Sequence, residues 1–392
     1  MYIEKIDIYI YKHDHHYMLR GLEDTPNKIP GTDYFFEPHW RQSYSQLSEA
    51  CLVKLTTDTG IEGWGEAQAP LMPEMAGTLI HKLFGPYIKG QNPLERERLY
   101  DAMYHINNIR GHESGYTLDA IAAIDIALWD IAGKSYGVPV FELMGGPCNG
   151  IALDAYVSGL RQPTLEEKCE AARQFVQEGF QAIKLFLGDD LPTDIHILRS
   201  IRKAVGPDVM LFCDLLWRYR VDEVIRIGRV LDELKYSWLE APTAPEDLAG
   251  HKLIRDALDV PIAIGEPLRT TFEFLPWFEQ RLLKIAQPDV MRTGLTAAKK
   301  IGALAEAFRI PIAPHVGMCT GIGMAATLQF AAAIPNFLIQ EYQLNLMTGA
   351  NRTLTRPIEV KDGKVIVPSG PGLGVEIETS TIEASTTAHW SV

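Results

Sequence analysis

The sequence predicts an α/β protein: a modified, TIM-like (β/α)8 barrel with an α+β N-terminal capping domain that the C-terminal segment completes. Three observations predict it. From Ile151 onward, short apolar runs alternate with amphipathic segments of helical period, the rhythm of repeated βα units. Polar residues end those runs at steps of 23 to 30 residues, one step per unit. The stretches before and after have the texture of strands and turns instead. A length of 392 residues suits a barrel with a smaller partner domain.

The opening, Tyr2 to Tyr11, alternates as a half-buried strand does, and Ala50 to Thr56 with Gly60 to Ala67 read as a hairpin about Thr57-Asp58-Thr59-Gly60. Between them residues 13–44 mix His13, His15, His16, Lys28, His39 and Arg41 with Pro, Gly and aromatic residues. That is too long for a connector and reads as a loop capping the site, with Lys28, His39 and Arg41 as candidate substrate contacts. Helical patterns follow at Glu74 to Ile88 and at Leu118 to Tyr136, where Gly137 and Pro139 stop the helix. The expected barrel strands are Ala152 to Ser158, Ala182 to Leu187, Val209 to Asp214, Ser237 to Glu240, Pro261 to Glu266, Lys284 to Val290, Ile310 to His315 and Phe337 to Glu341. Strands and turns return after about Thr355. The expected divisions are 1–127 for the cap, 128–355 for the barrel and 356–392 for the segment that packs back on the cap.

Composition narrows the function classes. A net charge of −13 without a dense Lys/Arg cluster argues against nucleic-acid binding, and an acidic ligand would need local positive charge. Five scattered cysteines without a C-x-x-C pair point to a reducing cytoplasm. The N-terminus lacks the apolar core of a signal peptide. The most apolar stretch, Met324 to Ile339, is broken by Gln329, Pro335 and Asn336, so it reads as a buried helix running into a strand and no membrane contact is expected. The expected partner is a small carboxylate substrate, and the expected assembly a homo-oligomer.

Active sites of such barrels lie at the carboxyl ends of the strands. The residues ending the apolar runs are Lys184, Asp214, Glu240, Glu266, Asp289, His315 and Glu341. Asp214, Glu240 and Glu266 end consecutive strands and would face one mouth, where three carboxylates repel unless a cation joins them. Oxygen-only donors suit Mg²⁺, with Mn²⁺ as a substitute, better than zinc; the bland alternative is surface acids or ion pairs. Asp289 and His315 end neighbouring strands, so the carboxylate could hold one ring nitrogen and leave the other as an acid-base group of fixed tautomer. Lys184 ends an otherwise apolar run. It is either a snorkelling lysine or a catalytic one.

These residues resemble the enolase superfamily, in its mandelate racemase/muconate lactonising branch, over nearly the whole chain. The resemblance is carried by Gly63-Trp64-Gly65-Glu66, Ile124 to Asp130, Gly145-Gly146, the three carboxylates, Gly265-Glu266, Gln287-Pro288-Asp289, Pro314-His315 and Pro368 to Gly374. It implies that Asp214, Glu240 and Glu266 hold Mg²⁺, that His315 paired with Asp289 is the general base or acid, and that Glu341 stands where relatives hydrogen-bond the substrate carboxylate. Two departures matter. The usual Lys-x-Lys is Lys184-Leu185-Phe186 here, and the usual Asp-x-Asn is Asp214-Leu215-Leu216. With Phe186 in place of the second lysine, racemisation lacks a confident partner for His315, whereas dehydration can proceed with one acid-base group. The expectation is therefore a sugar-acid dehydratase acting by α-proton abstraction, an enediolate and loss of the β-hydroxyl to give a 2-keto-3-deoxy acid. Alternatives are a racemase, epimerase or cycloisomerase of a hydroxy acid or sugar lactone, or a metal-free Schiff-base aldolase using Lys184.

Overall fold

A computed structural model describes residues 1–14, 27–38, 41–160 and 162–392. The cap is built on an antiparallel sheet of β1 (Ile3–Asp14), β4 (Leu47–Thr57), β5 (Glu62–Ala67) and, from the far end of the chain, β15 (Thr386–Ser391), in the order β15-β1-β4-β5. The alternation of Ile3, Ile6, Ile8 and Ile10 buries one face of β1. β15 pairs with it from Asp7↔Ser391 to Tyr11↔Thr386, so the end of the C-terminal segment completes the cap sheet, whereas its hairpin of β13 (Val360–Lys361) and β14 (Lys364–Ile366) joins the barrel strand Ala152–Ser158 instead. The stretch 34–45, read from the sequence as loop, is instead a β-hairpin of β2 (Tyr34–Glu37) and β3 (Gln42–Ser45). Its aromatic residues favour a pleated surface: Phe35 is fully buried and stacks on Tyr44 at 5.9 Å.

The cap sheet lies on α1 (Tyr116–Tyr136), and the boundary drawn at 127/128 falls inside that helix. Contact is close enough that a Cβ on Gly65 would stand 1.9 Å from the carbonyl oxygen of Ala123, so only glycine lets strand and helix approach this far. Two acids of α1 tie it to distant segments. Asp130 accepts from the backbone N–H groups of Trp64 (3.0 Å) and Leu373 (2.8 Å). Asp125 accepts from the Thr296 N–H (2.8 Å) and hydroxyl (2.6 Å), and that hydroxyl accepts from Trp129 Nε1 (2.9 Å). Replacing Asp125 with alanine would leave these buried donors unpaired, and urea unfolding should register a loss of about 2–4 kcal/mol.

The barrel runs through parallel strands β6 (Ala152–Ser158), β7 (Ala182–Phe186), β8 (Met210–Asp214), β9 (Trp238–Glu240), β10 (Ile262–Ile264) and β11 (Ile285–Ala286), and closes where β12 (Gln340–Tyr342) pairs with β6. The seventh stave, expected as a strand over Ile310 to His315, joins its neighbours only by single bridges: Ile312 to Ala286 and Phe337, and His315 to Asp289. Pro311 and Pro314 have no N–H to give the ladder there. Helices α2 (Leu165–Gln177), α3 (Leu191–Val205), α4 (Val221–Leu234), α5 (Leu248–Ala257), α6 (Thr271–Glu279) and α7 (Val290–Ala307) alternate with the staves. The apolar stretch after Thr320 is the wholly buried α8 (Gly321–Ala333). No described helix is long and apolar enough to cross a membrane.

Candidate active site at the barrel mouth

Inside the barrel, Tyr156, Ala182, Phe212, Trp238, Ala263, Ile285, Ala313 and Ile339 form one packed layer, one residue from each stave, with large and small side chains intermixed. A strand repeats its inward face every two residues. Two positions on from each member lies a second ring: Ser158, Lys184, Asp214, Glu240, Gly265, Gln287, His315 and Glu341. The apolar layer seals the barrel below it, and the polar ring forms the floor of the mouth. Gly265 is required in its place, because a Cβ there would meet the backbone of Gln287 at 2.5 Å. The acid of that stave is thus Glu266, one residue further out.

The ring is densely charged and paired. Lys184, 1% exposed, sits 2.6 Å from Glu240 Oε1, 3.0 Å from Glu341 Oε1 and 3.6 Å from Asp214 Oδ2. The Tyr156 and Phe186 rings flank its ammonium at 5.6 and 5.2 Å. Burial alone would lower the lysine pKa, but Glu240, Glu341, Tyr156 and Asp214 outweigh it and hold the group well above its ordinary value. Asp214 moves well up, because burial and the charges of Glu240 and Glu266 exceed the help from Lys184 and the Leu216 N–H. Burial would raise Glu341 too, yet Lys184, His315 and the Val316 N–H bring it below the usual carboxylate range.

His315 Nδ1 lies 2.7 Å from Asp289 Oδ2 and its Nε2 lies 3.0 Å from Glu266 Oε2. Burial would lower the imidazole pKa; the hydrogen bonds to Asp289 and Glu266 overcome it and push it well above the ordinary value. Glu266 is opposed by burial but held low by His315, Arg292 and Trp217, whose Nε1 donates to Glu266 Oε1 at 2.5 Å. That indole is aimed by a left-handed turn at Leu216 (φ 54°) and Trp217 (φ 61°), an uncommon backbone for residues with side chains. Gln42 of the cap hairpin donates to the Leu216 carbonyl at 3.2 Å and fastens the hairpin over the turn.

A cavity of about 320 Å³ opens above the ring, in the range of small-molecule sites. The barrel contributes Asp214, Glu266, His315, Phe186 and Leu216, and the cap contributes Gln42, Tyr44, Gln68 and Leu71. The expected residues divide into three groups. Asp214, Glu266, His315 and Phe186 line the cavity, with Asp289 buried directly behind His315. Lys184, Glu240 and Glu341 lie in the floor and are closed off from it: Glu341 Oε2 accepts from the Val316 N–H at 3.0 Å and so supports the loop after His315. Lys28 and Arg41 are exposed and absent from the cavity wall, Lys28 donating instead to Gln46 at 3.1 Å; His39 lies outside the described residues. Sequence reasoning missed Ser158 and Gln287, which the two-residue strand period places in the ring, and Arg292, Trp217 and Gln68, which only the assembled mouth reveals.

As their side chains stand, no trio of His, Cys, Asp or Glu among the described residues is gathered to chelate a metal. Glu240 is engaged by Lys184 and by Trp238 Nε1 (3.1 Å), and Glu266 by Trp217 and His315. The donor chemistry nevertheless fits a hard divalent cation. Asp214 and Glu240 are direct partners across adjacent strands, Glu266 ends the next, and the raised Asp214 carboxyl marks a site short of positive charge.

Comparison with known proteins agrees with this architecture. The enolase C-terminal domain-like family model matches residues 167–381, and the mandelate racemase/muconate lactonizing enzyme N-terminal domain model matches residues 39–145. The D-galactarolactone cycloisomerase of Agrobacterium fabrum is 31% identical across 84% of this chain and 89% of its own. The arabinonate dehydratase of Saccharolobus solfataricus is 31% identical across 86% and 90%. The crystal structure of an enolase superfamily member from Agrobacterium tumefaciens superposes with a TM-score of 0.93 at 29% identity, covering 97% of this chain and 98% of that one. Both halves of the chain carry the family's signature on the family's fold, and the protein belongs to the mandelate racemase/muconate lactonizing branch of the enolase superfamily.

Proposed function

We propose that the protein is a Mg²⁺-dependent hydro-lyase that dehydrates a sugar acid, an aldonate or aldarate, to a 2-keto-3-deoxy acid. One observation carries the choice of reaction. His315 presents a single acid-base nitrogen to the cavity, whereas the strand that carries Phe186 and the turn that carries Leu216 offer it hydrocarbon. A reaction that passes a proton between opposite faces of a planar intermediate needs two such groups; elimination of water from one face needs one.

In this reading Asp289 fixes the Nδ1–H of His315, and Nε2, free and neutral once Glu266 turns from it to a cation, takes the proton from the carbon next to the substrate carboxylate. The electron pair left on that carbon forms an enediolate, which expels the β-hydroxyl. The same Nε2–H protonates the departing oxygen to water, and the enol becomes the ketone. A divalent cation held by Asp214, Glu240 and Glu266 would supply positive charge where negative charge grows on the carboxylate. Lys184 serves as a fixed counter-charge within the floor: an ammonium paired with three carboxylates is neither the free amine nor the accessible one that Schiff-base chemistry needs, which argues against the aldolase alternative. We place the reaction in the cytoplasm, in keeping with five unpaired cysteines.

A cycloisomerase reading is favoured by the name of the Agrobacterium relative and leaves His315 in the same role. Products distinguish the two. Incubating the Mg²⁺-loaded protein with a panel of mono- and diacid sugars and their lactones should yield a 2-keto-3-deoxy acid from at least one. Ring opening or closure without loss of water would replace dehydration with cycloisomerisation.

A further inference from the structure

The cavity contains a cation that the proton transfers above do not employ. Arg292, three residues past Asp289 at the start of α7, lines the cavity wall. Its Nε–H donates to Oε1 of Gln68, which is 3% exposed just beyond cap strand β5 and whose own N–H donates to the Met291 carbonyl at 3.1 Å. The cap thus holds the guanidinium by its inner nitrogen, a bond that does not use the fork of two terminal amino groups. Asp289 caps the helix that carries Arg292, and Arg292 and His315 line the same cavity, so the positive charge lies on the side of the mouth that holds the Asp289–His315 pair. A floor this acidic would repel an anionic substrate unless the wall offered positive charge, and a planar N–H fork matches a carboxylate in shape as well as sign.

We propose that Arg292 is the anion anchor of the cavity, binding a carboxylate of the substrate through its terminal N–H pair while Gln68 fixes its orientation. The inference rests on the reading of the substrate as a carboxylic acid, and it assigns that recognition to a side chain instead of leaving it to the cation alone. Glu341, the residue the resemblance suggests for it, lies closed off in the floor.

The test is calorimetric binding to the Mg²⁺-loaded protein of three inert probes: a 3-deoxyaldonate, which has no β-hydroxyl to lose, its neutral amide, and the corresponding diacid. Wild type should prefer the acids to the amide. Arg292→Gln, which can still hydrogen-bond Gln68, should lose about tenfold or more in affinity for an acid and less than about threefold for the amide. Arg292→Lys, keeping charge without the fork, should fall between. A loss shared by monoacid and diacid assigns the anchor to the reacting carboxylate, and a loss for the diacid alone assigns it to the distal one. An undiminished preference for acids in both variants overturns the proposal. Should wild type itself bind acid and amide alike, the carboxylate reading of the substrate fails first. Thermal unfolding of each variant monitors the fold, and the lysine variant keeps the question open to measurement if the glutamine variant is unstable.

Discussion

Replacing His315 with asparagine is expected to lower kcat by about four orders of magnitude, because in the proposed reaction one nitrogen both removes the α-proton and returns it to the leaving hydroxyl. Asparagine retains a donor to face Asp289 Oδ2, which His315 Nδ1 approaches at 2.7 Å, so the buried carboxylate is not stranded and the fold should survive. Exchange of the α-proton with deuterium in D₂O should vanish together with turnover, since both begin with the same transfer. Asp289→Asn should be milder, at about a hundredfold, because it spoils the tautomer and orientation of the imidazole without removing it. Turnover by His315→Asn within tenfold of wild type would place the base elsewhere in the mouth.

Loss of the three carboxylates proposed to hold the cation carries the second large effect. Asp214→Ala should weaken Mg²⁺ binding by more than about a hundredfold and abolish dehydration, because it removes a donor whose strand partner is Glu240 and whose carboxyl already feels Glu266. Glu266→Ala should do the same while also freeing His315 Nε2 and the Trp217 indole. Glu240→Ala should show a further penalty in the stability of the metal-free protein, about 3–5 kcal/mol, because Lys184 loses its nearest counter-charge in a buried setting. Treatment with EDTA should silence the wild-type enzyme, and Mg²⁺ or Mn²⁺ should restore it. Full activity in the chelator, or an Asp214→Ala variant that binds Mg²⁺ normally, is the outcome that would remove the cation from this site.

Much of the site was legible because a barrel turns a local pattern into a spatial one. Each strand end reaches the same mouth, so Asp214, Glu240, His315 and Glu341 could be gathered from their spacing alone. The same logic could have supplied Ser158 and Gln287, had the two-residue strand period been carried through every stave. Lid contacts were not legible. Lys28 and Arg41 have suitable chemistry, but in the folded cap they are exposed and Lys28 spends its ammonium on Gln46. The stretch 34–45 supplied Gln42 and Tyr44 to the cavity instead, once its aromatic residues had made it a hairpin.

The sequence by itself determined the βα rhythm, the cap and its closure by the C-terminal strand, the three acids, and the Asp289–His315 pair. All of these follow from short-range periods and from residues at the ends of runs. Only the tertiary structure decided which members of the ring meet the cavity and which are closed beneath it. Lys184 stands in its strand at the level of the mouth, as a catalytic lysine of a barrel would, yet three carboxylates from other staves draw it into the floor. Arg292 acquires its orientation from Gln68, 224 residues away in the chain. Such choices depend on the packing and charge of side chains that meet only after folding, and no local pattern encodes them.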